Sequence, residues 1–307
     1  MTQQASSWRD LPRRILTVAI GVPSIILLLQ NTVTSWLFFQ GAHLICLLEW
    51  RALVPSTSST ADTTKDGDAS NLSQYLMSIF SIASFLITVI STSLLPLVLM
   101  TSSIVVRLLP HLPTCQKAKS SSEYIYLTIQ HYQFGLLYLS IGFHFLLQIA
   151  VSDRGAYHIG NLLFVVWMSD TGALICGRTM KSTISQCQAK SKHNKQKGFF
   201  LEFLQSISPG KTMYGLLGAI ITGPISAILY PMAFAPTNEI DDSLASRATL
   251  GFILAIAGII GDLAESSVKR LSSKKDSGKL LPGHGGVVDR FDSLLSSAVV
   301  YYYWMAV

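Results

Sequence analysis

Nine apolar runs shape this chain, near residues 15–30, 33–50, 75–91, 93–109, 133–151, 157–176, 213–233, 248–266 and 292–307. A bilayer core takes about 20 mostly apolar residues as a helix. Within hydrocarbon each backbone N–H and C=O has to be satisfied inside its own segment, so runs of this length form helices. The expected fold is all-α: a polytopic integral membrane protein of about nine transmembrane helices, with no separate soluble domain. Composition agrees, since 13% of the 307 residues are charged and 50% hydrophobic, where a soluble domain carries about 25% charged residues. Between 75 and 109, Pro96 and the Ser91-Thr92-Ser93 break favour two helices over one long tilted one.

Charge placement sets an expected topology. The N-terminal arm 1–14 carries Arg9, Arg13 and Arg14. Lys117 and Lys119 follow Arg107, and the segment 178–211 holds Arg178, Lys181, Lys190, Lys192, Lys195, Lys197 and Lys211 against Glu202. The linker 234–247 is acidic, with Glu239, Asp241 and Asp242 against Arg247. Lys and Arg mark the cytoplasmic side. Nine spans with the N-terminus inside put every basic linker inside and the acidic one outside. The net charge of +6 is thus a matter of loop orientation, and no nucleic acid is expected. The first run reads as a transmembrane helix and not a signal peptide, because no small-x-small cleavage site follows it. Residues 55–73 and 186–198 are polar, lack periodicity and are expected to bury too little to fold. The chain divides into the arm 1–14, N-terminal transmembrane helices over 15–156 with the disordered loop 55–73, and a catalytic transmembrane region over 157–307. Cys46, Cys115, Cys176 and Cys187 form no zinc spacing and read as structural.

The chemistry concentrates in 261–293, GDLAESSVKRLSSKKDSGKLLPGHGGVVDRFDS, where four aspartates, a glutamate and six basic side chains interrupt two apolar runs. On a helix Asp262, Ser266 and Lys269 share one face, with Glu265 beside them. An acid at the end of a span is costly unless paired or cation-bound. An Asp262–Lys269 or Glu265–Lys269 pair that merely ends the helix is the plain alternative. The turn Pro282-Gly283-His284-Gly285-Gly286 lets backbone approach a ligand closely, and free N–H groups in such turns suit phosphate oxygens. Asp289 and Asp292 share a face of the last helix and flank Arg290; N-terminal acids also favour the helix dipole. Carboxylates from two helices suit Mg²⁺, which leaves coordination positions for substrate phosphates. Lys269, Arg270, Lys274, Lys275 and Arg290 can neutralise several phosphates. Such a site at a membrane face implies a phosphorylated lipid, a nucleotide, or both.

This stretch resembles the signature of the phosphatidate cytidylyltransferases (CDP-diacylglycerol synthases). The matching positions are Ser266 (or Ser267), Lys269, Arg270, Lys275, Asp276, Pro282, His284, Gly285, Gly286, Asp289, Arg290 and Asp292, so the signature runs over 266–292. Gly261-Asp262-Leu263 followed by Glu265-Ser266 looks like the bacterial and organellar branch. Upstream, Glu49-Trp50 is similar to the family's Glu-Trp, and Asp170-Thr171-Gly172-Ala173 with Gly177-Arg178 to its Asp-Thr-Gly-Ala…Gly-Arg element. Ser208-Pro209-Gly210-Lys211-Thr212 resembles Ser-Pro-Lys-Lys-Thr. The family usually has Lys where Gly210 stands and Glu where Tyr214 stands, which bears on the role of that element. Gly210-Lys211-Thr212 only mimics a P-loop end, because Gln205 stands where the first glycine belongs.

The resemblance implies transfer of the cytidylyl group from CTP to phosphatidate, giving CDP-diacylglycerol and pyrophosphate in phospholipid biosynthesis. It implies Asp262, Lys269, Asp289 and Asp292 as catalytic residues, with the metal on Asp262 and Asp289. Ser266, Arg270, Lys275, His284, Gly285, Gly286, Arg290, Lys211 and Arg178 would bind CTP or lipid phosphate. Asp170, Glu265, Asp276 and Ser208 are additional candidates. The implied cofactor is Mg²⁺, with K⁺ beside it in some members. The implied partners are CTP, phosphatidate, the bilayer and a second copy in a homodimer, with the site on the cytoplasmic, stromal or matrix face. The alternatives are a CTP-dependent polyprenol or phytol kinase, which would release CDP, an inactive homologue, and a transporter whose charges would be spread through several spans.

Overall fold

The computed structural model describes residues 23–53, 130–188, 204, 207–234, 243–278, 280 and 285–306, with side chains left out of 181–188. The arm 1–14, the loop 55–73 and the runs at 75–91 and 93–109 lie outside the described residues. Among those described, helices join through turns, with no strand. The long helices among the described residues are α1 Thr32–Arg51, α2 Gln130–Val151, α3 Gly155–Gln188, α4 Met213–Phe234, α5 Leu244–Leu271 and α6 Val288–Met305. Each coincides with an expected apolar run, and most continue beyond it into polar sequence. Four stretches, namely α2, Gly155–Met180 of α3, α4 and α5, are long and apolar enough to cross a membrane.

The chain gathers into two compact units. The first holds residues up to Leu147 together with Val268–Asp289. Here α1 starts on Asn31, whose Oδ1 accepts from Val33 N at 2.8 Å, a side-chain cap on an otherwise unpaired amide. Its last turn carries Trp50, 2% exposed. The indole Nε1 donates to His131 O at 3.2 Å, and His131 Nε2 lies 3.1 Å from Trp50 O. Gly135 is where it is because any Cβ there would run into the Trp50 indole. The following turn of α2, Leu136–Ser140, is π-helical. His43 stacks on Phe143 with centroids 4.9 Å apart.

The second unit holds Gln148–Ser267 and Arg290–Val307. It is built on small residues that let backbones approach. A Cβ on Gly215 would lie 3.0 Å from Ala173 O, and one on Gly218 2.5 Å from Gly172 O, so α3 and α4 run nearly backbone to backbone. Gly223 of α4 meets Gly251 of α5 in the same way, 2.6 Å from a Cβ to the opposing carbonyl. Between α5 and α6 the contact is polar: Ser296 Oγ donates to Ala257 O at 2.7 Å and Ser297 Oγ to Leu254 O at 3.2 Å. Lipid offers no hydrophobic drive for helix association, so close packing and interhelical hydrogen bonds have to supply it. The outward stripe Leu217, Ile221, Ile225 and Leu229 of α4 is at least half exposed at each position. Its four-residue spacing is one helix face, and its composition suits acyl chains.

Candidate active site

In the second unit three carboxylates converge. Asp262 and Glu265 on α5 and Asp292 on α6 each offer an oxygen within 4.8 Å of the others. Glu265 is fully buried and the other two are half-buried. Gly261 permits this, because a Cβ there would collide with Ser296 Oγ and the Asp292 carbonyl. Ser266 Oγ donates to Asp262 Oδ1 at 3.2 Å, the i, i+4 relation expected from sequence. Asp292 Oδ1 accepts from Ser293 N at 2.7 Å. Three hard oxygen donors at this spacing fit a divalent cation that keeps positions open for other ligands.

Lys211 reaches the same carboxylates, with Nζ 2.6 Å from Asp262 Oδ2. It ends a turn in which Lys211 N donates to Ser208 O at 3.1 Å. Thr212 Oγ1 then accepts from Gly215 N at 3.1 Å, capping α4. The Ser208–Thr212 element is thereby brought to Asp262. Its two departures fall on open positions: nothing lies within 4 Å of a Cβ on Gly210, and Tyr214 is 39% exposed. Gly177 of α3 abuts Thr212, 3.1 Å from a Cβ to Oγ1. Asp170, one side of α3, feels the charges of Asp262, Lys211 and Arg290. Arg178 and Arg290 are exposed.

In the first unit two other acids gather the described residues on either side of the signature turn. Asp289, in the first turn of α6, accepts from Lys269 Nζ at 2.7 Å, Gly286 N at 2.8 Å and Ser277 N at 3.1 Å. Both partners of the ion pair are largely buried, with side-chain exposures of 12% and 8%. Gly285 holds φ at +81°, where a side chain would be strained. Glu49, at the end of α1, is the second acid. Its Oε2 accepts from Val288 N at 3.0 Å and Ser277 Oγ at 3.1 Å. Gly278 and Gly286 press on the Glu49 carboxylate so closely that a Cβ on either would overlap it. Ser272 Oγ and Lys274 Nζ donate to the carbonyls of Leu53 and Ala52 just beyond α1. Arg270, Lys275 and Asp276 are exposed. Pro282, Gly283 and His284 lie outside the described residues.

Asp262, Ser266, Glu265, Asp292 and Lys211 come together. Lys269, which the plain alternative pairs with Asp262 or Glu265, donates to Asp289. Glu49 had entered only as part of a Glu-Trp likeness, with no role. Its signal in the sequence is an acid at the end of an apolar run, the same signal that singled out Asp262.

Comparison with known proteins adds three findings. A sequence family described as the Cytidylyltransferase family matches residues 12–188 and 199–307. A phosphatidate cytidylyltransferase of Staphylococcus haemolyticus is 38% identical over 158 residues, and one of Staphylococcus saprophyticus 35% identical over 160, each alignment covering 52% of both chains. An uncharacterized protein of Escherichia coli (strain K12), YnbB, is 43% identical over 99 residues, 32% of each chain. The chain spans about half or less of the length of these relatives.

Proposed function

This chain belongs to the cytidylyltransferase family, and from that premise we propose that it transfers the cytidylyl group of CTP to phosphatidate, forming CDP-diacylglycerol and releasing pyrophosphate. The observation that carries the reading is the convergence of Asp262, Glu265 and Asp292 beside Lys211, in a chain with helices long and apolar enough to cross a membrane. The named relatives from Staphylococcus support the substrate pair.

A phosphate oxygen of phosphatidate attacks the α-phosphorus of CTP, the bond from that phosphorus to the bridging oxygen breaks, and pyrophosphate leaves with the electron pair. The nucleophile is already ionised near neutral pH, so no strong base is required. The barrier is the approach of two polyanions, and positioning with charge stabilisation lowers it. Asp262, Glu265 and Asp292 would hold Mg²⁺, which when bound neutralises phosphate charge and stabilises the leaving oxygen. Asp289, the other expected metal ligand, would have to exchange one of its three donors to serve as one. Ser266 orients the Asp262 carboxylate. Lys211, paired with Asp262 in this structure, and Lys269, paired with Asp289, are the cations that phosphates would draw away. Arg290 and Arg178, exposed, add positive charge for CTP, with Arg270 and Lys275 as further phosphate contacts. Nine spans, a cytoplasmic site, K⁺ and a homodimer remain part of the proposal.

The test is Asp262→Asn, purified full-length in detergent and given CTP and phosphatidate with Mg²⁺. Turnover should fall by orders of magnitude, while thermal unfolding stays close to that of the parent. Near-normal liponucleotide formation would sink the assignment.

A further inference from the structure

We propose that the second unit carries a separate oxyanion site centred on Arg247, which takes the phosphate of an anionic lipid headgroup. Arg247 lies in the first turn of α5, 15 residues before Asp262, about 22 Å along the helix at 1.5 Å per residue. It belongs to the opposite end of that helix from the carboxylate cluster. The residue is 5% exposed, although a long cationic side chain near a helix end ordinarily reaches out to water. It sits on a buried stripe with Leu250, Leu254 and Ala257, the stripe whose carbonyls at 254 and 257 accept from α6. Its Nε and Nη1 have no hydrogen-bond partner among the described residues.

A buried guanidinium with unmade bonds is costly. Here it also stands at the positive end of its own helix, since Ser243 Oγ caps Ser246 N at 3.1 Å; a cation there opposes the dipole. A bound anion would offset both penalties. A guanidinium N–H makes a strong charge-assisted hydrogen bond to a phosphate oxygen. A second polar group at this end is also preset. Tyr301 OH, on α6 one turn past Ser297, lies 3.2 Å from Asn161 Nδ2 and 3.1 Å from His158 Nδ1. Asn161 Oδ1 stays buried without a donor among the described residues, ready for a ligand hydroxyl. Lipid is the source favoured by the surroundings: Met232, Phe234 and Leu244, at the adjoining ends of α4 and α5, are each more than 60% exposed. Headgroup phosphates lie at that level beside acyl chains. The inference does not depend on the reaction proposed for the other end.

The experiment uses the full chain in detergent, as parent, Arg247→Leu and Arg247→Lys. Unfolding temperature is followed on adding dioctanoyl phosphatidylglycerol, dioctanoyl phosphatidylcholine or inorganic phosphate. The carboxylate end is the same in all three proteins, so differences between them isolate Arg247. The parent is expected to gain several degrees with phosphatidylglycerol, Arg247→Lys part of that and Arg247→Leu none. Arg247→Leu should fold, because replacing a buried charge by a hydrophobic side chain is often neutral or stabilising. An Arg247-dependent gain of equal size from inorganic phosphate keeps the oxyanion site and makes free phosphate its source. Equal gains in parent and Arg247→Leu overturn the proposal.

Discussion

Removing the Glu49 carboxylate should loosen the backbone at Ser277 and Val288 by a measurable factor. Glu49 is 9% exposed, and its Oε2 is the acceptor for Val288 N and Ser277 Oγ. In Glu49→Ala both buried donors lose their acceptor. Each unsatisfied group costs about 1–3 kcal/mol, so together about 2–6 kcal/mol. At about 1.4 kcal/mol per tenfold, the amides of Ser277 and Val288 should open at least about 25-fold more often. Glu49→Gln keeps a neutral acceptor and should lose about half as much free energy. Hydrogen exchange of the full chain in detergent, followed by mass spectrometry on peptides covering 272–290, reads this directly. Peptides from the α3–α4 region serve as the internal control. Unchanged exchange in Glu49→Ala, or an equal rise in both regions, would refute the reasoning, because the effect is argued from two specific bonds.

Lys211→Met should lower turnover with CTP by about ten- to a hundredfold, read in initial rates, since it removes the ammonium paired with Asp262; this scale is that of a lost charge-assisted bond of about 1.5–3 kcal/mol. Chelation of divalent cations should abolish turnover, and in Asp292→Asn the Mg²⁺ concentration for half-maximal rate should rise. Gly251→Val should lower the thermal midpoint in detergent, because Cβ atoms at that contact would meet the Gly223 backbone; the cost is about 1–3 kcal/mol for overpacking. Gly210→Lys should leave stability within about 0.5 kcal/mol of the parent, as expected of an open surface position.

The helices were legible because lipid enforces a simple code. The runs expected at 213–233 and 248–266 became Met213–Phe234 and Leu244–Leu271. The excess at the end of α5 is instructive: Lys269 and Arg270 extend the helix past its apolar part, since Lys and Arg propagate a helix about as well as Leu does. Local spacing also put Asp262 and Ser266 on one helix face, where they bond. It could not give the partners of Lys269 or Asp262, because those are chosen by packing between helices. Glu49 receives a bond from Val288, 239 residues away, and no local pattern reports such a distance. Arg247 was read as one charge in an acidic linker; only burial distinguishes it from a solvated arginine. The runs at 75–91 and 93–109 fall outside the described residues, and four spans among the others satisfy length and hydropathy.

The central claim is best tested by following two labels. Purified full-length protein is given phosphatidate, Mg²⁺ and CTP labelled at either the α- or the γ-phosphorus. Cytidylyl transfer predicts α-label in the lipid product and γ-label in pyrophosphate, in equal amounts. Lipid carrying γ-label, with CDP released, would make the protein a kinase and contradict the account.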